Sequence, residues 1–316
     1  MVYIKRIGYV CTTGPSLDSI EKINKLFELG MTTIRFNMSY RESCMIDELT
    51  PKIIDSRYDI KTMVDLCGPE IRINISEPMN IIKNNVYTIG KDIKIKEGNL
   101  DVLNIGDIIV FGDGEISFKI IEKDECLKCI SLNNGILKRN KKITNEKLCK
   151  TIPFLSESDI NDIKHAIELN IDYLCISFVN TAEDIKSVKT ITNNKIKIIA
   201  KIETVEGVIN LKDILSEVDG IMIGRGDLGV RYPLSELGKV QKEICKIVKD
   251  SNKKLIVGTG FLSSMKENEI PTRAEINDLY NTILDGADEI MFSGETANSN
   301  SPENVLKAAN EIAETI

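Results

Sequence analysis

A single histidine, His165, serves all 316 residues, and that scarcity removes whole classes of chemistry. It falls inside an amphipathic stretch between Lys164 and Ala166, where it reads as structural. Neither a Ser-His-Asp nor a Cys-His catalytic arrangement can then be assembled. No run of about 18 apolar residues exists to cross a bilayer, which argues against a membrane protein. A basic face is missing as well. The net charge is -7 and the lysines are scattered, so a nucleic-acid partner is not expected. The opening MVYIKRIGYV enters strand-like sequence without a charged and then apolar leader. Cys11, Cys44, Cys67, Cys126, Cys129, Cys149, Cys175 and Cys245 suit a reducing compartment better than a disulfide framework, and the expected location is cytoplasmic. Only Cys126 and Cys129 have ligand-like spacing, and without a second pair or nearby histidines they make a poor zinc site.

What the chain does contain is repetition. Short apolar runs alternate with amphipathic stretches, the appearance of parallel βα units. Eight runs can be read: IGYVC near 7, TTIRFN near 32, TMVDL near 62, YLCISF near 173, KIIAKIE near 197, GIMIGRGD near 220, KLIVGT near 254 and EIMFSGE near 289. Helix signals lie between them. Ser16 can cap a helix with an Ile20, Ile23, Phe27 face that Gly30 ends; Ser156 and Asp159 precede another; Thr272 and Glu275 have capping-box spacing, with Gly286 closing that helix. Eight strands with helical crossovers predict an α/β fold of the (β/α)8 TIM-barrel type.

The third and fourth runs are too far apart for an ordinary βα connection. Between them, alternating segments such as VYTIGKDIKIK and DIIVFGDGEISFKII, broken by Gly112–Gly114 and Asn133–Gly135, read as hairpins of an all-β insert. The expected organisation is a barrel over 1–72 and 151–316, with an inserted β-barrel-like lid over 73–150 between strand 3 and helix 3.

Residues that close the runs should face one site. They are Arg35, Asn37 and Ser39; Asp65, Glu70 and Arg72; Ser177 and Phe178; Lys201 and Glu203; Arg225 and Asp227; Thr259; and Ser293, Glu295 and Thr296. Burying so many acids and bases is costly unless a ligand or metal offsets them. Glu203 and Asp227, on adjacent strands, suit a hard divalent cation, with Mg2+ the natural choice. A salt bridge from Glu203 to Lys201 or Arg225 is the plain alternative. The glycines of GRGDLG let N–H groups approach an anion such as a carboxylate. Lys201 facing Arg35 beside a metal points to phosphoryl chemistry, with a Schiff-base role for the lysine as the alternative.

These stretches resemble the pyruvate kinase family: VCTTGPS (10–16), GMTTIRFNMS (30–39), VDLCGPEIR (64–72), LSESDINDI (155–163), ISFV (176–179), IAKIETVEGV (199–208), DGIMIGRGDLGV (219–230) and PTRAEINDLYNTILDGADEIMFSGETA (271–297). The resemblance implies phosphoryl transfer from phosphoenolpyruvate to ADP, giving pyruvate and ATP, with Mg2+ on Glu203 and Asp227. It implies that Lys201 and Arg35 stabilise the phosphoryl group, and that the N–H groups of Arg225, Gly226 and Asp227 with the Thr259 hydroxyl hold the substrate carboxylate. Ser293 and Glu295 would join the network that protonates the enolate. Asn37, Ser39, Asp65 and the Leu66 carbonyl match the family's K+ site, and Glu70 matches the acid of potassium-dependent members. Arg35, Asn37, Arg72 and Lys142 look like nucleotide contacts, with Asp113 near the nucleotide. By the same resemblance the PTRAE region suggests a homodimer through the barrel.

The departures fall on one side of this site. Tyr40 stands where the family usually has histidine, Cys67 where it has lysine, Asn180 where it has arginine and Gly260 where it has glutamine, so positive charge is reduced toward the nucleotide. Gly224 replaces a usual alanine. The sequence ends at AANEIAETI, within the last expected barrel helix and before the family's C-terminal regulatory domain. A Mg2+-dependent enolpyruvate or oxaloacetate enzyme (decarboxylase or lyase), or an inactive ligand-binding relative, are the alternative expectations.

Overall fold

The computed structural model describes residues 7–40 and 43–316; the strand-like reading of the opening MVYIKR falls outside them. Eight strands close a parallel barrel: β1 (Gly8–Thr12), β2 (Met31–Asn37), β3 (Lys61–Asp65), β4 (Tyr173–Ile176), β5 (Lys197–Ile202), β6 (Gly220–Gly224), β7 (Lys254–Gly258) and β8 (Glu289–Phe292). Their order round the barrel is β1-β8-β7-β6-β5-β4-β3-β2. Every expected run is a barrel strand.

The barrel is filled, not hollow. Val10, Met63, Cys175, Ile199, Met222, Ile256 and Met291 form one buried cluster, each from a different strand. Side chains alternate along a strand, so the residue two positions further faces inward again, one layer nearer the carboxyl end. That rule carries Val10 to Thr12, Met63 to Asp65, Cys175 to Ser177 and Ile199 to Lys201. The apolar floor and the polar layer above it are therefore one pattern.

Helices cover the outside, and their caps follow from local sequence. Helix Arg273–Leu284 starts in a full Thr272/Glu275 capping box, and helix Ala182–Thr192 starts in a Thr181/Asp184 box. Helix Leu237–Asp250 buries Val240, Ile244, Cys245 and Val248, each worth about 1.5–3 kcal/mol when fully buried. One expected cap is corrected. Helix Ile20–Glu28 is capped by Ser19, which accepts from the Lys22 N–H, whereas the Ser16 hydroxyl donates to the Ser299 carbonyl at 2.6 Å. Ser19 lies one residue before the first helical position, which is where a capping oxygen must sit. His165 lies on helix Glu157–Glu168, and its Nε2 meets Asp47 Oδ1 at 2.6 Å on the surface.

The described residues up to Cys67, with Glu157–Ile316, make one compact unit, and Gly68–Ser156 make a second. The division falls at 67/68 instead of 72/73 because Ile71–Asn74 is already a strand of the second unit, paired with Lys142–Thr144. This unit holds a seven-stranded sheet and a two-stranded one over an isoleucine-rich core, in which the Phe111 and Phe118 rings meet edge-on at 5.1 Å. Ile108–Phe111 and Ile116–Lys123 form the expected hairpin through Gly112–Gly114. The other two hairpins are corrected. Val86–Ile89 pairs with Leu127–Ser131, Lys94–Ile95 pairs with Ile71–Asn74, and Gly135–Leu137 pairs with Met79–Ile81. Alternation specifies a strand but not its partner, and the pairings that bury this core are non-local.

Candidate active site

At the carboxyl end of the barrel, side chains from the first five strands lock together: Thr12, Arg35, Asp65, Ser177 and Lys201. The Arg35 guanidinium donates from Nε to Asp65 Oδ2 at 2.7 Å and from Nη1 to the Thr12 hydroxyl at 2.9 Å. Lys201 Nζ lies 3.3 Å from Asp65 Oδ1, 2.9 Å from the Ser177 hydroxyl and 3.2 Å from Glu203 Oε1. Ser177 in turn donates to the Leu66 carbonyl at 2.7 Å. Asp65 is the hinge of this network and is fully buried. Burial opposes its ionisation, but the charges of Lys201 and Arg35 overcome that and hold its carboxyl below the usual carboxylate range. Burial likewise opposes the charge of Lys201, and Asp65 and Glu203 raise its pKa well above that of an ordinary lysine. That direction favours the ammonium form, which suits a charge-neutralising role better than a Schiff-base one.

Glu203 sits beside this pair. Its Oε2 accepts the Phe178 N–H at 3.1 Å, a bond made possible by a left-handed Phe178 (φ 57°). Gly224 lies against it: a Cβ at that position would fall 2.3 Å from Glu203 Oε1, so the absent methyl group leaves room for the carboxylate. Burial pushes the Glu203 carboxyl up, and the charges of Asp227 and Asp65 add to the push although Lys201 opposes it. Three carboxylates, Asp65, Glu203 and Asp227, thus gather with Lys201, Arg35 and Arg231, and Glu203 is the one whose ionised form an added cation would favour. Asp227 sits in the first turn of helix Arg225–Arg231, with Arg231 Nη1 3.5 Å from its Oδ1. Among the described residues no group of three or more His, Cys, Asp or Glu gathers as a ready-made metal cage. Glu203 and Asp227 form a two-carboxylate set, which suits a cation that takes its remaining oxygens from substrate and water.

Strand β6 runs straight into that helix, so the N–H groups of Arg225, Gly226 and Asp227 open its amino end. The Arg225 side chain turns away from it. Its guanidinium forms a two-toothed pair with Asp278 (2.8 Å for both bonds), lies over the Phe261 ring at 3.8 Å and donates twice to the Thr259 carbonyl, at 2.9 and 2.8 Å. Thr259 has φ 75°, a conformation costing a β-branched residue about 1–3 kcal/mol. The Arg225–Asp278 clamp offsets that strain. Gly226 approaches Thr259 closely, a Cβ there falling 3.2 Å from Thr259 Cγ2, so residues 226 and 259 share one corner of the site.

After β8, the buried Glu295 carboxylate accepts the Ser293 N–H at 2.9 Å and the Ser263 hydroxyl at 2.7 Å, and pairs with Lys266 at 3.2 Å. Asn37 Oδ1 accepts the Ser39 N–H at 3.2 Å, and Asn37 lies beside Asp65 in the β2–β3 register. Arg72 and Lys142 belong to the second unit, directly opposite each other in its antiparallel ladder. Like charges facing across strands repel. Here Glu70 pairs with Arg72, and Asp113 lies 3.6 Å from Lys142.

The altered positions show what replaced the missing charge. Tyr40 is 78% exposed. Asn180 is drawn into the scaffold, its Oδ1 accepting from Thr204 Oγ1 at 2.6 Å. Gly260 has φ 85°, where a side chain would be strained. Thr12, Asp278 and Lys266 are not singled out by the sequence reading. Thr12 follows from alternation along β1, but Asp278, in mid-helix, and Lys266, in a 3-10 turn, give no local signal.

Residues 4–306 match the family described as "Pyruvate kinase, barrel domain". The chain is 34% identical to a pyruvate kinase of Bacillus licheniformis over 98% of its own length and 57% of that protein. It is 35% identical to one from Buchnera aphidicola subsp. Acyrthosiphon pisum (97% and 69%) and 36% identical to one from Dictyostelium discoideum (94% and 63%). The chain therefore spans between 57% and 69% of the length of these relatives. With a barrel-domain match across nearly all of its length, this chain belongs to the pyruvate kinase family.

Proposed function

We propose that this chain transfers the phosphoryl group of phosphoenolpyruvate to ADP, giving pyruvate and ATP. One observation carries the reading: Lys201 held among Asp65, Ser177 and Glu203, beside the Arg35–Asp65 pair, at the carboxyl end of a pyruvate kinase-type barrel. In the reaction the bond between phosphorus and the enol oxygen breaks, a terminal ADP oxygen bonds to phosphorus, and the enolate takes one proton at its methylene carbon. Lys201 and Arg35 neutralise the equatorial oxygens during transfer, and the rigid network costs little reorganisation. The N–H groups of Arg225, Gly226 and Asp227 and the Thr259 hydroxyl hold the carboxylate. Ser293 and Glu295 border the face on which the proton arrives.

Mg2+, held by Glu203 and Asp227, supplies Lewis-acid polarisation of the enolate and phosphoryl oxygens when bound. The neighbouring Glu203 and Asp227 carboxylates, of which Glu203 is pushed up by burial and by Asp227, fit it. Asn37, Ser39, Asp65 and the Leu66 carbonyl would hold K+. Arg35, Asn37, Arg72 and Lys142 are the proposed contacts to nucleotide phosphates. Among the described residues no helix is long and apolar enough to cross a membrane. A cytoplasmic location, a homodimer through the barrel and the absence of nucleic-acid or membrane partners complete the proposal.

A second reading has its own support. With Asn180 bound into the scaffold and Gly260 bare, the nucleotide side lacks two side chains that could carry charge or hydrogen bonds. A Mg2+-dependent enzyme acting on oxaloacetate or another enolate precursor would need the intact half alone. A coupled assay of ADP phosphorylation from phosphoenolpyruvate, run against oxaloacetate decarboxylation, separates the two.

The Thr259 clamp gives a further expectation. Asp278→Ala should release Arg225 and let Thr259 relax, weakening Mg2+-dependent binding of oxalate, an enolate mimic, by about tenfold. Calorimetric titration measures this, and unchanged affinity would show that Thr259 holds its conformation without the clamp.

A further inference from the structure

We propose that Lys266 is a positioning residue for the protonation half of the reaction, acting through Glu295 on Ser293. The proposal rests on the phosphotransferase reading above. Glu295 is a carboxylate with a side chain only 2% exposed, and such a charge needs a compensating partner. Lys266 is the cation paired with it among the described residues, its Nζ 3.2 Å from Oε1, which also accepts the Ser263 hydroxyl at 2.7 Å. The other oxygen is spent on the Ser293 N–H at 2.9 Å. One carboxylate thus connects an outer lysine to the backbone that sets the Ser293 hydroxyl.

Two further features show that the reach of Lys266 is built into the fold. Gly294 lies in the short helix Gly294–Ala297, where its backbone asks nothing special, yet a Cβ there would fall 2.7 Å from Lys266 Cε and 2.9 Å from Nζ. The lysine stem occupies the place of the missing side chain. The turn Ser263–Lys266 is also fixed from behind. Glu275, the capping-box acid of helix Arg273–Leu284, accepts both the Ser264 N–H at 2.7 Å and the Ser264 hydroxyl at 2.5 Å. A capping box, a turn, a lysine and a buried acid therefore form one chain of contacts ending at Ser293.

The test uses the full chain with Mg2+, K+ and inorganic phosphate and follows exchange of the pyruvate methyl protons with D2O by NMR, a readout that needs protonation but no nucleotide. Lys266→Gln should slow exchange by about 10- to 100-fold, with the pyruvate KM changed by less than about twofold. Lys266→Arg, which restores the charge, should recover most of the rate. Gly294→Ala should reproduce the loss with the lysine still present, because its Cβ displaces the stem, and circular dichroism and thermal melting verify that each variant is folded. Wild-type exchange in Lys266→Gln, or an equal loss in Lys266→Arg, overturns the role while leaving the phosphotransferase reading intact. A wild-type chain that neither exchanges these protons nor forms ATP overturns both.

Discussion

Lys201→Ala should lower ATP formation from phosphoenolpyruvate and ADP by about a thousandfold or more, because it deletes the charge that meets the phosphoryl group in flight. Exchange of the pyruvate methyl protons should survive, since Ser293 and Glu295 are held through Lys266 and not through Lys201. The expected outcome is thus a separation of the two halves of the reaction, the mirror image of the Lys266 variants. Rapid-quench measurement of ATP beside NMR of the methyl protons reads both. Transfer at the wild-type rate would remove Lys201 from the role argued for it.

The second large effect concerns stability. Asp65 is the acid shared by Arg35 and Lys201; Asp65 and Arg35 are buried and the Lys201 side chain is 13% exposed. Asp65→Asn leaves two cations in the barrel with an amide where their common counter-charge was. Breaking a buried pair from one side costs about 3–5 kcal/mol, because the remaining charge stays desolvated. Lys201 keeps Glu203 at 3.2 Å, so Arg35 carries most of that cost and the lower part of the range is expected. Urea unfolding followed by circular dichroism should show a midpoint displaced by that amount in free energy. A shift below about 1 kcal/mol would mean that water reaches the network and that its charges are less desolvated than their burial implies.

The barrel was legible in the sequence because its rule is local. Each strand is an apolar run, and Thr12, Asp65, Ser177 and Lys201 each lie two residues beyond a core position, so Asp65 and Lys201 could be read off as residues pointing into one site. The second unit was only half legible. The Gly112–Gly114 turn fixes a hairpin locally, whereas the partner of Val86–Ile89 is set by a core gathered from distant segments. At the carboxyl end of the barrel, the charged residues that close the strands could be named from sequence, but their supports could not. Asp278 and Lys266 act by reaching across from outer elements, and Glu203 depends on the missing Cβ of Gly224. Such dependencies exist only in three dimensions. Ser16 and Ser19 show the same limit at small scale, as two hydroxyls three residues apart compete for one helix end and only the geometry of the first turn decides.

The departures at Tyr40, Cys67, Asn180 and Gly260 concentrate the functional question on the nucleotide. Arg35, Asp65, Ser177, Lys201 and Glu203 form one connected set of contacts, which supports the proposed enolpyruvate half of the site. The most direct measurement is therefore ADP phosphorylation from phosphoenolpyruvate by the purified chain with Mg2+ and K+, followed by lactate dehydrogenase coupling and direct detection of ATP. The account predicts pyruvate and ATP formed in equal amounts and lost together in Lys201→Ala. No ATP, alongside Mg2+-dependent oxalate binding and turnover of oxaloacetate, would contradict it and establish the chain as an enolate enzyme without a phosphoryl acceptor.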